Sequence, residues 1–135
     1  MGSSFIKYRD RGFWAHDAFI ELFLARLAEA TASLPEAEWV HAAADHWRSQ
    51  ASGVFAGWVH PQFDDHLAGE DRRAAILGLV AAIRARPDAT LELTQTCDLV
   101  ERLLKGELLT DASSPLDYMV QPAPLPPSDR SSGAA

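Results

Sequence analysis

The chain has 135 residues, with 19 Asp and Glu against 12 Lys and Arg, a formal net charge of −7. That length suits one domain, and an apolar share of 47 %, with four Trp and six Phe, is enough to fill a core. The acidic balance argues against nucleic-acid binding over the whole surface, because phosphate contacts need clustered positive charge. The single cysteine, Cys97, rules out an internal disulfide and a cysteine-rich zinc module.

The amino-terminal MGSSFIKYRD lacks the apolar run of a signal peptide, and no stretch approaches the roughly 20 apolar residues of a membrane span. A cytoplasmic protein without a membrane segment is expected, and MGSS has the composition of an expression-vector remnant. Helical spacing then dominates. Asp17 is placed to act as an N-cap, and Phe19, Ile20, Phe23, Leu24 and Leu27 trace one face of the helix behind it. Ser33 and Glu36 have the spacing of a capping box with Pro35 in the first turn, and Trp39, Ala43 and Trp47 continue as a second helix to about Gln50.

From 52 to 69 the period breaks. Gly53, Gly57, Gly69, Pro61 and scattered aromatics predict a long structured connection, with one short helical turn at 62–67. Trp58, Phe63 and Leu67 are expected to anchor it to the core. A third helix spans about 70–86, with Ile76, Leu77, Val80 and Ile83 on its apolar face and Pro87 as its stop. A fourth runs from about Thr90 to Lys105 and ends at Gly106, with Leu93, Cys97, Val100 and Leu104 aligned; Leu91–Thr94 could alternatively be extended. Residues 121–135 are proline- and serine-rich and read as a disordered tail, in which Pro124 and Pro127 have PxxP spacing but serve better as a spacer. The expected architecture is all-α: one domain over 1–120, about four main helices around one core, with a long irregular loop in the middle.

The stretch GWVHPQFDDHL poses the chemical question, since it gathers His60, Asp64, Asp65 and His66. As a metal site it is poorly spaced: Asp64 and His66 are two apart and point to different faces of a helix. His41 and His46, five apart, do not form a chelating pair either. Adjacent carboxylates such as Asp64 and Asp65 rarely flank a cleft as hydrolytic pairs must. The His16-Asp17 doublet resembles the dyad of HD-type phosphohydrolases, but the further ligands of such a site are not evident, and an N-cap accounts for Asp17. No phosphate loop or nucleophile elbow is present. The reading is a non-catalytic protein with no metal and no cofactor.

Charge distribution offers the remaining clue. Residues 35–71 hold Glu36, Glu38, Asp45, Asp64, Asp65, Glu70 and Asp71 against Arg48 alone, a balance of −6. The first fourteen residues hold Lys7, Arg9 and Arg11 against Asp10, a balance of +2. An acidic lobe with aromatics nearby suits a protein partner, and a merely solvated acidic face suits the numbers equally well.

Two segments, YRDRGFWAHDAFIELFLARL at 8–27 and WRSQASGVFAGWVHPQFDDHL at 47–67, resemble a group of small bacterial proteins with a Y-R-x-x-G-F-W start and a W-x-x-Q-A-x-G…P-x-x-D centre. The resemblance covers about half the chain. That group is associated with polymorphic and contact-dependent toxin systems, so the resemblance implies an immunity protein that neutralises a basic toxin domain by direct binding. It brings no catalytic residues. Tyr8, Arg9, Gly12, Phe13, Trp14, Trp47, Gln50, Gly53, Pro61 and Asp64 match its pattern, and most of them read as structural: aromatic anchors, a turn glycine such as Gly12, and polar groups bracing the loop; Asp17 and Trp39 take structural roles from their helical spacing. Candidate partner-binding residues are Asp45, Trp58, His60, Asp64, Asp65, Glu70 and Asp71. The alternatives are a small metal-dependent hydrolase or metal-binding helical protein, and a regulatory or adaptor subunit.

Overall fold

The computed structural model describes residues 2–9, 11–55, 58–107 and, for the backbone, 120–122. Helices dominate, but the chain is not all-α. It opens with an antiparallel hairpin of β1 (Ser3–Tyr8) and β2 (Arg11–His16), in register from Ser3 opposite His16 to Tyr8 opposite Arg11. A third strand, β3 (Val120–Pro122), pairs antiparallel with the other side of β2, giving the order β1-β2-β3. Gln121 and Pro122, expected in the tail, are therefore sheet residues. The rest of the tail, with Pro124 and Pro127, lies outside the described residues.

The hairpin follows from an alternation that a helical reading passes over. Ser4, Ile6 and Tyr8 are buried along β1, and Phe13 and Ala15 along β2, the period of two that a pleated strand imposes. On the opposite face Phe5 and Trp14, directly across the ladder, stack with ring centroids 5.2 Å apart. Gly12 is a strand residue rather than a turn glycine, and it is required by closeness. A Cβ there would stand 2.3 Å from the Ile6 carbonyl oxygen and 2.6 Å from the Phe5 ring. Gly12→Ala must push backbone away from backbone. It is expected to cost about 2–3 kcal/mol, measurable as a lowered urea midpoint with an unchanged slope.

β2 runs straight into α1 (Asp17–Ala30), whose Ile20, Phe23, Leu24 and Leu27 are buried as the spacing predicts. Asp17 is not its N-cap. That position is His16, without a side-chain cap, and the Asp17 carboxylate is instead buried and accepts a 2.6 Å hydrogen bond from Ser4 Oγ. The same hydroxyl accepts from the Val59 N–H at 2.9 Å. Ser4 is thus an internal joint between sheet, helix and loop.

After a 3-10 turn at Thr31–Ser33, α2 covers Glu38–Gln50. The anticipated capping box does not form: Ser33 Oγ turns back to the Ala30 carbonyl, and the helix starts beyond Pro35, at an Ala37 cap. The short α3 (Phe63–His66) is followed by α4 (Glu70–Arg84) and α5 (Leu91–Lys105). Thr90 caps α5 by accepting from the Leu93 N–H, which commits 91–94 to helix, and Gly106 closes it at φ 75°.

α1 packs on α2, α4 and α5, and α4 on α5; the sheet lies against α1 and α5. Arg84 staples α4 to α5 through Asp98, at 2.8 Å, and Glu101. Those carboxylates raise its pKa above the ordinary guanidinium value. Cys97 is fully buried in this core, and burial pushes its thiol up to about 12, far from a reactive thiolate. No described helix is long and apolar enough to cross a membrane.

Candidate protein-binding site

The irregular segment between α2 and α3 is pinned from two sides. From α2, Trp47 Nε1 donates to the Pro61 carbonyl at 2.8 Å, and the Gln50 amide oxygen accepts from the His60 N–H at 2.8 Å. His46 Nε2 contacts the His60 carbonyl at 2.8 Å, which fixes Nε2 as the protonated nitrogen of that ring. From β1, Ser4 holds the Val59 N–H. Val59, Pro61, Phe63 and Leu67 are buried, and Trp47 beneath them is wholly so. Residues 59–61 are thereby held without regular secondary structure, because their polar backbone groups have side-chain partners.

Trp58 departs from expectation. It does not anchor the loop to the core: 72 % of it is exposed, as is Val54, four residues earlier, at 76 %. Phe55 serves as the anchor, half-buried against the core, and its carbonyl accepts from the Trp58 N–H at 2.7 Å. The His60 ring meets Trp58 edge-on at 6.4 Å. The result is an indole displayed on an immobilised platform.

The predicted acidic residues divide into two kinds. Asp64 is consumed within the molecule, accepting from Lys7 Nζ and from the Arg9 N–H, each at 2.7 Å. Glu70 pairs with Arg73 and lies 3.9 Å from Arg9. The basic N-terminus and the acidic centre are therefore partly each other's partners. Asp65 and Asp71 are exposed and carry no ion pair among the described residues. Asp45 belongs elsewhere: it pairs with Arg48 and lines a cleft of about 450 Å³ between the end of α1 and α2, with Glu29, Glu36 and His41.

Of the residues given structural roles, Tyr8, Phe13, Trp47 and Pro61 are buried. Trp14 is half-buried on the Phe5 face, and Trp39 is half-buried under the Arg72 guanidinium, 5.1 Å from its ring centre. Sequence spacing alone missed the partnership of His46 and His66. Their rings lie 5.2 Å apart, with Trp47 edge-on to His66 at 5.7 Å. His66 Nε2 is buried without a partner among the described residues. The relation is between helices, 20 residues apart in sequence, so no local pattern announces it. Among the described residues no group of three or more His, Cys, Asp or Glu is placed to hold a metal ion.

Burial lowers the His66 pKa below 6.5, with neighbouring His46 and Arg72 adding to the effect and Asp65 opposing it. A base whose folded pKa lies below its unfolded value favours folding only while neutral. Its contribution is complete above about pH 6.5 and is lost as the pH falls toward the folded value. Melting temperature should drop between pH 7.5 and 5.5, and the drop should be smaller in His66→Gln. Equal drops in both proteins would remove His66 from the explanation.

No protein-family model, curated protein or solved structure matches the chain.

Proposed function

We propose that this protein is a non-catalytic binding protein that neutralises a basic toxin domain through the face around Trp58. The observation that carries the reading is an indole 72 % exposed on a segment whose flanking backbone is hydrogen-bonded to buried and half-buried side chains. Exposing Trp to water is unfavourable for the isolated chain, and Trp is among the residues enriched at the centres of protein interfaces. A pre-fixed loop loses little conformational entropy on binding, so more of the contact energy appears as affinity. Asp65 and Asp71, exposed and without an ion pair among the described residues, supply the negative field that attracts a basic surface. The assignment of that surface to a toxin draws on the resemblance in 8–27 and 47–67.

The test is co-expression with the product of a neighbouring toxin gene, followed by pull-down. Cells should survive the toxin with this protein present and die without it. Asp65→Lys with Asp71→Lys should slow association and flatten its salt dependence, while melting stays within about 4 °C of the wild type, since exposed charges contribute under about 1 kcal/mol each. Asp64 is left intact because it ties α3 to the hairpin. Capture of a partner whose activity is unaffected would favour the adaptor reading instead.

A further inference from the structure

The segment that displays Trp58 leads into α3, a single helical turn that meets α2 through a pair of histidines. The His66 ring lies 5.2 Å from that of His46 and 5.7 Å from that of Trp47. Its Nε2 is buried without a hydrogen-bond partner among the described residues. His46 in turn donates from Nε2 to the His60 carbonyl at 2.8 Å. One imidazole pair therefore touches both the short helix and the loop before it. We propose that this pair is an acid-sensitive latch: protonation of His66 loosens α3 from α2 and frees the segment 58–62 that carries Trp58. The use of such a latch, release of a bound partner at acidic pH, rests on the reading of the Trp58 face given above. The latch itself is a property of the free chain.

The groups that face His66 set the direction. Among the described residues it meets His46 and Trp47 from α2, Arg72 from α4, and Asp65 from its own turn. A proton on His66 places a cation in a half-buried site, beside an imidazole whose N–H is already committed to His60. Protonated on both nitrogens, the ring must also bury an N–H with no described acceptor. Asp65 favours the charge, but it is exposed, and water and salt screen its attraction. Burial, His46 and Arg72 outweigh it, so the docked ring titrates below its ordinary 6.5. In the open form it returns toward that ordinary value, and opening takes up a proton. The open population is smallest above about pH 6.5 and grows as the pH falls through it.

A plainer explanation is that His66 only packs, as any half-buried ring does. The joints on either side of α3 speak for a movable part. Gln62, its N-cap, sits in the left-handed region at φ 53°, which a side chain of this kind rarely adopts. Such strain persists only while the surrounding contacts impose it, so undocking relieves it. On the far side Gly69, at φ 100° with open space where a Cβ would stand, links α3 to α4. Phe63 and Leu67 hold the turn closed by burial while His66 is neutral. Asp64 ties it to the hairpin, accepting from Lys7 Nζ and the Arg9 N–H at 2.7 Å each. The motion is thus an opening away from α2, hinged on the hairpin side.

Native-state hydrogen exchange on the free full chain tests the latch, with each rate normalised to intrinsic exchange at the same pH. Amides in 58–66 should exchange through an opening that low urea concentrations barely change, whereas those of α1 should follow global unfolding. Protection in 58–66 should fall about threefold or more between pH 7.5 and 5.5. His66→Gln, neutral at every pH, should abolish that fall. His46→Gln, which can still donate to the His60 carbonyl, should shrink it. Exchange of 58–66 by global unfolding alone, or a fall that both variants retain in full, overturns the proposal. Failure of the pull-down described above counts against the Trp58 reading and leaves the exchange result standing.

Discussion

Trp47→Ala is expected to remove about 4–5 kcal/mol of stability, since Trp47 heads the fully buried side chains of the described residues by volume. Two effects add. Truncating a fully buried aromatic side chain costs about 3–5 kcal/mol, through lost burial and the cavity left behind, and Trp47 is entirely inaccessible to solvent. The substitution also strands the Pro61 carbonyl, whose hydrogen bond comes from Trp47 Nε1. An unsatisfied buried acceptor costs about 1–3 kcal/mol more, part of it recovered if water enters. Domains of this size are stable by about 5–15 kcal/mol, so the variant should be near its unfolding threshold at 37 °C. Trp47→Phe, which keeps most of the ring and loses only the donor, should fall between the two. Urea denaturation followed by circular dichroism measures both, and a Trp47→Ala loss under about 1 kcal/mol would contradict the packing described.

Trp47 also shows why parts of this fold were legible in the sequence and others were not. Its spacing from Ala43 marks a buried helix face, and helices α1, α4 and α5 fall within a few residues of where periodicity and end signals place them. Thr90 and Gly106 are end signals that the structure uses. Asp17, Ser33 and Pro35 carry similar local signals that it does not use. Asp17 was drawn into the interior by a stronger interaction, the Ser4 hydroxyl 13 residues earlier. Long-range satisfaction of a buried carboxylate outweighs a cap worth about 1 kcal/mol.

The hairpin was hidden for a different reason. Its turn lacks the Asn-Gly or Asp-Gly dipeptide that announces a two-residue reversal, and Arg9 takes the left-handed conformation instead. The recoverable signal was the alternation of Ser4, Ile6 and Tyr8 against Phe13 and Ala15. At the candidate site, the chemical look of His60, Asp64 and His66 was visible, but their roles were not. Asp64 serves the hairpin through Lys7 and Arg9, His60 offers its backbone to α2, and His66 pairs with His46 across a helix interface. Each role depends on a residue at least 10 positions away, beyond the reach of any local pattern.

Trp58→Ala is expected to separate binding from folding. Its indole is 72 % exposed and donates no hydrogen bond to the described residues, so truncation should change stability by under about 0.5 kcal/mol. Acrylamide quenching of the remaining fluorescence should fall, because the accessible fluorophore is gone while Trp47 stays buried. Against the proposed basic partner, the dissociation constant should rise by about 30-fold or more, the loss of about 2 kcal/mol or greater typical of a central aromatic anchor. The change should appear in the dissociation rate, since contact made after encounter sets the lifetime of a complex. Asp65→Lys and Asp71→Lys should do the reverse, slowing association with little effect on lifetime. Surface plasmon resonance over a range of salt concentrations distinguishes the two signatures. If Trp58→Ala binds as tightly as the wild type, the displayed indole is not the anchor, and the interface lies on another face such as the cleft between α1 and α2.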